Sequence, residues 1–151
     1  FQVPLVIMYS KDATPRTTRQ QLDYEDVMDT IKSFFRERIQ FAESNGIQKK
    51  QIVLDPGMGF FVSGTPKYSF EVIRRISELH EFDLPLLLGP SRKSFLAGVT
   101  PERTLNFKER DIPAAVVSSI ALWQSVSVLR FHDVEQGRLL IDTIEALKSG
   151  A

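Results

Sequence analysis

Four short apolar runs, separated by longer stretches of mixed polarity, organise this sequence. The runs occupy residues 3–9 (VPLVIMY), 51–55 (QIVLD), 84–89 (LPLLLG) and 126–131 (VSVLRF). Three of them are too apolar to leave one face in water, which is typical of strands in a parallel sheet covered on both sides. The runs therefore predict four strands, of which three are buried on both sides.

The first two intervening stretches show helical spacing of apolar residues. In the first, one face carries Val27, Ile31, Phe34, Phe35, Ile39 and Ala42. We expect Asp23 to cap its start and Gly46 to end it. The second begins with Thr65 and Pro66, a cap followed by proline at the first helical position. Its predicted buried residues are Phe70, Ile73, Ile76 or Ser77, and Leu79.

The last two stretches complete a repeated strand–helix order. Residues 111–125 carry no charge after Asp111, so we expect this helix to be covered on nearly all sides. The final helix follows Asp133 and should turn Leu140, Ile144 and Leu147 inward. Four alternating units predict right-handed βαβ connections in an α/β fold. The pattern is compatible with a small open sheet or with half of a (β/α)₈ barrel, which needs about 250 residues.

Composition narrows the functional classes. Nineteen basic and nineteen acidic residues balance, which argues against a nucleic-acid or membrane partner, and there is no cysteine for a disulfide, a thiolate nucleophile or a metal site. We find no signal peptide and no apolar run of about 18 residues, so we expect a cytoplasmic protein. The sequence opens at Phe1 without an initiator methionine, and we expect the natural protein to be longer.

Candidate chemistry lies where the apolar runs end, because ligands of parallel α/β folds bind at the carboxyl ends of the strands. Met8 closes the first run and Asp55 the second. The third runs into Ser-Arg-Lys-Ser at positions 91–94, and the fourth into Arg-Phe-His-Asp at 130–133. One carboxylate, one lysine, two arginines and one histidine thus converge on one rim.

Each of these features also has a purely structural interpretation. Asp-Pro-Gly is a common turn, a basic loop tip is often only solvated, and Arg130 could form a salt bridge with Asp133. Two observations favour a site. Gly57 and Gly59 would let the backbone approach a ligand closely. Arg130 and His132 would point to the same side of an extended strand end.

Taken together, three motifs resemble a known family. LDPGMGF, GPSRKSFL and RFHDV, in this order on successive strand ends, are similar to the C-terminal half of dihydropteroate synthase. That family is a (β/α)₈ TIM-barrel enzyme of folate biosynthesis and the target of sulfonamides. The resemblance covers residues 1–151 and implies a single domain that supplies barrel strands five to eight and their helices, without strands one to four.

The resemblance also implies roles for single residues. Asp55 would accept hydrogen bonds from the pterin ring, Lys93 would donate to its carbonyl and ring nitrogen, and Arg130 would stack on its face. Arg130 and His132 would hold the departing pyrophosphate, so the implied catalytic residues are Lys93, Arg130 and His132. The other implied substrate-binding residues are Met8 and Gly59 at the pterin, with Phe60 and Ser91 at p-aminobenzoate.

The implied reaction joins 6-hydroxymethyl-7,8-dihydropterin pyrophosphate to p-aminobenzoate and needs no nucleophilic side chain. Mg²⁺ would assist, held by an asparagine of the absent half, so no metal ligand is expected here. The resemblance further implies a homodimer that uses the helix at 111–125.

Three positions depart from the family pattern: Tyr9 where histidine is frequent, Pro90 before the SRKS motif, and Phe61 in a loop that usually carries glycine and lysine. Two alternatives therefore remain. One is a pterin-binding methyltransferase domain, and the other is a pterin-binding homologue without turnover.

Overall fold

A computed structural model describes residues 3–14 and 16–150, so Phe1, on which the expected cut point falls, lies outside the described residues. Strands and α-helices alternate as predicted: β1 Leu5–Met8, α1 Val27–Ser44, β2 Ile52–Asp55, α2 Pro66–Arg74, β3 Leu87–Leu88, α3 Asp111–Trp123, β4 Val128–Leu129 and α4 Val134–Ser149. Short 3₁₀ helices span Lys49–Gln51, Gly59–Phe61, Ile76–Phe82 and Ser94–Gly98.

The four strands are parallel and follow one another in chain order. β1 pairs with β2, with Met8 opposite Asp55, and β3 pairs with β4. A single parallel bridge between Leu54 and Leu86 joins the two pairs, and there the Leu54 N–H donates to the carbonyl of Pro85 over 2.9 Å. All four strands therefore end at the same edge, although β3 and β4 are much shorter than the apolar runs that predict them.

The hydrophobic core lies between the strands and the helices. Fully buried residues at its centre are Met28, Ile31, Phe35, Leu54, Val72, Ile76, Leu86 and Leu88. β2 and β3 are buried or half-buried, whereas β1 and β4 are largely exposed, so the predicted burial of three strands holds for two. Leu5, Val6 and Val128 are exposed because β1 and β4 are the two outer strands of the described chain.

The first helix begins later than predicted. Its cap is Asp26 and not Asp23, because the Asp26 carboxylate accepts the backbone N–H groups of Met28 and Asp29 at 2.8 and 3.0 Å. Asp23 instead accepts a hydrogen bond from the Tyr68 hydroxyl. The predicted apolar face is buried apart from a partly exposed Phe34, and Gly46 has the positive φ expected just past the helix end.

The buried face of the second helix differs from the predicted one at Phe70. Phe70 is 38% exposed and meets only the edge of the Phe95 ring, at 5.1 Å between centroids. The α-helix ends at Arg74 and the chain continues as a 3₁₀ helix, so the angular spacing changes along this stretch. Ile76 and Leu79 remain buried as predicted, while Ser77 is exposed.

The last two helices are less covered than the sequence suggests. Along α3, four apolar side chains are 46–77% exposed: Ile112, Val116, Ile120 and Trp123. In α4, Leu140 and Ile144 are half-buried, but Leu147 is exposed. The described residues supply no surface that covers the exposed side chains of either helix. Across those residues, no helix combines the length and the apolar character that crossing a bilayer requires.

Candidate functional site

A small cavity opens where the four strands end. Its volume is about 90 Å³ and its lining consists of Met8, Asp55, Gly57, Met58, Phe61, Gly89, Lys93 and Arg130. Four of the predicted site residues therefore meet, one from each strand end: Met8, Asp55, Lys93 and Arg130. The shared edge of the parallel strands brings together side chains that are 122 positions apart in the sequence.

Asp55 is the carboxylate of this cavity, and a tight turn holds it. Its Oδ1 accepts the backbone N–H of Gly57 at 2.8 Å. Gly57 has φ +71°, and a Cβ there would lie 2.6 Å from the carbonyl oxygen of Tyr9, so only glycine fits. Burial raises the pKa of Asp55, against the opposing effects of the Gly57 N–H and of the Lys93 and Arg130 charges.

Lys93 is the cation that shares this buried space. Burial lowers the pKa of its ammonium group, the Arg130 charge lowers it further, and Asp55 opposes both. Its Nζ lies 4.7 Å from the centre of the Phe61 ring, which is a cation–π contact. Gly59 lies behind this side chain, because a Cβ at Gly59 would be 3.7 Å from the Lys93 Cβ.

Arg130 reaches the cavity from just beyond β4. Its backbone N–H donates to the carbonyl of Leu88 at 2.9 Å, and its side chain passes Gly89, where an added Cβ would lie 3.6 Å from the Arg130 Cβ. The alternative salt bridge to Asp133 does not form, because Asp133 caps α4 by accepting the N–H of Gln136 at 3.0 Å. The Arg130 guanidinium faces the cavity instead.

His132 and Ser91 lie beside the cavity and not in its lining. The Ser91 hydroxyl is 2.9 Å from His132 Nδ1, and the edge of the Phe107 ring meets the imidazole with 6.0 Å between centroids. The Arg92 guanidinium lies over the Phe107 ring, 5.3 Å from its centre. β4 ends at Leu129, before both residues, and only Arg130 of the two lines the cavity.

Asp111, the first residue of α3, binds Arg92 in the turn between Ser91 and Lys93. Arg92 adopts φ +57°, which is uncommon for a residue other than glycine, asparagine or aspartate. Its guanidinium forms two hydrogen bonds with the Asp111 carboxylate, at 2.7 and 2.9 Å, and they lower the pKa of Asp111. Sequence reasoning missed both Phe107 and Asp111, since neither stands at a strand end.

Phe60 is turned away from the cavity that Phe61 lines. Arg19 lies over the Phe60 ring at 5.8 Å, and the Phe60 carbonyl accepts the hydroxyl of Thr17 at 2.8 Å. The polar loop after β1, in which the sequence shows no recognisable chemistry, therefore packs against residues 60–61. Its own fold depends on Asp12, whose bond from Lys11 at 2.6 Å lowers its pKa to about 2.

The described residues offer no group of three or more acidic, histidine or cysteine side chains placed to hold a metal ion. In the cavity, Asp55 lies between two cationic side chains that would repel Mg²⁺. These residues alone do not fit a magnesium site, so no chemical step is assigned to the metal.

Comparison with known proteins agrees with this geometry. The family described as pterin binding enzyme matches residues 1–132. The chain belongs to this family. The coarser part of the fold prediction is thereby confirmed, since the chain is α/β and covers only part of a barrel.

Several curated relatives and solved structures that resemble this chain are dihydropteroate synthases. The type-3 enzyme of Escherichia coli is 35% identical over 87% of this chain and 49% of its own length. The dihydropteroate synthase of Escherichia coli strain K12 is 32% identical over 97% of this chain and 48% of its own. The Yersinia pestis enzyme, solved with a pterine-sulfa conjugate, superposes with a TM-score of 0.85 at 30% identity, covering 98% of this chain and 53% of that one. The chain thus spans about half the length of these relatives.

Proposed function

We propose that the protein containing this chain is a dihydropteroate synthase. It would condense 6-hydroxymethyl-7,8-dihydropterin pyrophosphate with p-aminobenzoate to give 7,8-dihydropteroate and pyrophosphate. The observation that carries the proposal is the meeting of Asp55, Lys93 and Arg130 around one cavity at the strand ends. Relatives of this name match most of the chain and support the same reaction.

We assign the chain to the C-terminal half of the barrel, strands five to eight. Four βα units in chain order and a match to 48–49% of two relatives support this assignment. The remaining strands would then complete the wall of the site, beside the exposed residues of β1 and β4.

The pterin half of the site follows from the cavity. A buried carboxylate binds best to a ligand that presents two parallel N–H donors, as a 2-amino pterin does, and Asp55 would accept both. Lys93 would donate to the pterin carbonyl and ring nitrogen. Arg130 would lay its planar guanidinium on the ring, a contact that lysine does not reproduce. Met8 would cover the apolar side of the ring.

The chemical step would need no nucleophilic side chain from the protein. Pyrophosphate leaves as an anion, and the cationic groups that meet it would be Arg130 and His132. Mg²⁺ would neutralise part of the pyrophosphate charge when bound, with its ligand outside this chain. For the p-aminobenzoate subsite, Phe60 and Ser91 remain predictions. A cytoplasmic location likewise remains a prediction.

We also propose a homodimer that uses α3. The exposed apolar side chains of this helix recur at helical spacing along one stripe, at Ile112, Val116, Ile120 and Trp123. A continuous stripe of this kind favours a protein partner over water.

One alternative has an observation of its own. Phe61 lines the cavity from a loop that departs from the family pattern, which favours a pterin-binding homologue without turnover. A pterin-binding methyltransferase domain is the other alternative, against which the SRKS and RFHD motifs speak together.

The test is product formation by the full-length protein supplied with the pterin pyrophosphate, p-aminobenzoate and Mg²⁺. We expect dihydropteroate and pyrophosphate in equal amounts, and neither product when one substrate is omitted. Tight pterin binding without product would favour the non-catalytic homologue. Methyl transfer from a methylated donor would favour the methyltransferase.

A further inference from the structure

The hydroxyl of Ser91 is buried and has two hydrogen-bonding neighbours, both in His132. Ser91 is 3% exposed, and its Oγ lies 3.3 Å from the His132 backbone nitrogen and 2.9 Å from the ring nitrogen Nδ1. Within residues 3–14 and 16–150, its Oγ forms no other hydrogen bond.

The direction of these two bonds follows from what each atom can do. A backbone N–H only donates, so Ser91 Oγ must accept from His132 N. The single hydroxyl hydrogen of Ser91 then has one acceptor in reach, which is Nδ1. Pointing it elsewhere would leave a buried polar hydrogen without a partner, which is unfavourable.

We infer that Ser91 is a positioning residue that fixes the tautomer of His132, with Nδ1 as the acceptor and the ring proton on Nε2. A neutral imidazole carries its proton on one nitrogen only, so a donor to Nδ1 places the N–H at the opposite side of the ring. The family resemblance implies that Ser91 binds p-aminobenzoate, but in this structure its hydroxyl is hydrogen-bonded to His132.

The orientation of the ring is held as firmly as its tautomer. Phe107 meets the imidazole edge-on, and Arg92 lies over Phe107, with Asp111 binding Arg92 in turn. His132 itself is exposed to solvent. Its Nε2–H therefore belongs to a ring with a fixed plane and an accessible donor.

The consequence for chemistry rests on the proposed function. A departing pyrophosphate requires donors at the rim, and an Nε2–H supplies one while His132 is neutral. A freely exchanging imidazole would instead present a lone pair to the anion for part of the time. Ser91 would thus determine whether Nε2 of His132 presents an N–H donor or a lone pair to the anion.

Nitrogen-15 NMR of the full-length protein at about pH 8, where imidazole is neutral, tests the inference directly. His132→Gln removes the His132 imidazole signals from the spectrum and so identifies them, whatever other histidines the full-length protein contains, and His80→Gln is the matched control at the chain's other histidine. We expect His132 as the pure Nε2–H tautomer, with a slowly exchanging Ser91 hydroxyl proton correlated to Nδ1. An appreciable Nδ1–H population in the wild-type ring would overturn the inference.

Two substitutions separate this role from a general structural one. Ser91→Ala should give a mixture of both His132 tautomers, and Ser91→Thr, which keeps the hydroxyl, should restore the pure form. Ser118→Ala is the matched control, because Ser118 is a buried serine whose hydroxyl has no partner in the described chain. An unchanged tautomer in a folded Ser91→Ala protein would contradict the inference.

Inorganic pyrophosphate distinguishes the inference from the proposed function. If both hold, Ser91→Ala weakens pyrophosphate binding by about tenfold, as expected for a lost hydrogen bond to a charged group, and Ser91→Thr restores it. If the wild-type protein binds no pyrophosphate while His132 keeps its Nε2–H tautomer, the proposed function fails and the positioning role stands.

Discussion

The surroundings of Asp55 disfavour the charged form of its carboxyl group. Burial outweighs the Gly57 N–H and the two nearby cations, so the pKa of Asp55 is raised in the folded protein. A raised carboxyl pKa means that the folded state holds the proton more tightly than the unfolded chain. Stability is therefore lost as the pH rises from the ordinary carboxyl pKa through the raised pKa of Asp55.

Asp55→Asn should accordingly raise the free energy of unfolding of the full-length protein at neutral pH, because the amide keeps an acceptor for Gly57 and carries no charge. Urea denaturation at about pH 7 and again near pH 3 measures this, and the gain should shrink at the lower pH, where the carboxyl is neutral. A variant that is less stable at neutral pH would show that the cations stabilise the carboxylate after all.

Lys93 and Arg130 carry the same charge but have different shapes. Lys93→Arg and Arg130→Lys should each lower kcat/KM by about ten- to a hundredfold, as expected for charge-assisted hydrogen bonds of about 1.5–3 kcal/mol. Steady-state kinetics decides the matter, with Lys67→Arg, an exposed position on α2, as the matched control. Near-wild-type turnover in either site variant would mean that only the charge matters.

At the residue scale, the sequence predicts which side chains from the strand ends meet in the cavity. Met8, Asp55, Lys93 and Arg130 meet as expected, because the edge of a parallel sheet gathers them whatever their separation. Phe61, rather than Phe60, faces the cavity because a short 3₁₀ turn sets its direction. Such a turn has no periodicity from which side-chain directions can be inferred.

At the scale of the element, the first helix shows how a cap is chosen between two aspartates. Asp26 receives two backbone N–H groups and an ion pair from Arg75 at 3.0 Å, whereas Asp23 is 83% exposed. Both stand before the apolar face, so spacing alone did not separate them. The contact with Arg75, which follows α2 and lies 49 positions along the chain, is a tertiary feature.

Asp26→Ala should lower the free energy of unfolding by about 1–2 kcal/mol, while Asp23→Ala should change it by about 0.5 kcal/mol or less. Hydrogen bonding from Asp29 N–H and Arg75 lowers the Asp26 pKa, so its contribution is present above the ordinary carboxyl pKa and lost as the pH falls through the lowered value. Thermal or urea unfolding of both variants at several pH values is the measurement. Equal effects of the two substitutions would contradict the cap.

The sequence of α3, which carries no charge after Asp111, predicts a covered helix but not the surface that covers it. Its buried residues, such as Ala114 and Ala121, face this chain, and its exposed stripe faces outward. The composition of a helix shows how apolar it is, but it does not identify the surface that packs against it.

At the scale of the whole molecule, the alternating order predicts the topology, and the ends of the strands predict the site. The assignment to half a barrel predicts that the outer edges of β1 and β4, near Leu5 and Val128, have no partner strand. Leu5 and Val128 are exposed on the outer strands of the described chain. A partly open barrel also leaves one side of the cavity without a wall.

The isolated 151-residue chain should therefore form no dihydropteroate. It has Asp55, Lys93, Arg130 and His132, but water enters a rim without its other wall. The assay is product formation by the chain alone, then by the chain mixed with a separately produced N-terminal half of the full-length protein. Recovery of turnover only in the mixture is expected, and substantial synthesis by the chain alone would contradict the assignment to half a barrel.

The central claim is that the strand ends of this chain bind a pterin through Asp55. Calorimetric titration of the full-length protein with a non-reacting pterin analogue tests it most directly, comparing wild type with Asp55→Asn. The account predicts clear binding by the wild type and an affinity at least about tenfold lower in a variant that remains folded. Unchanged affinity in Asp55→Asn would contradict the account.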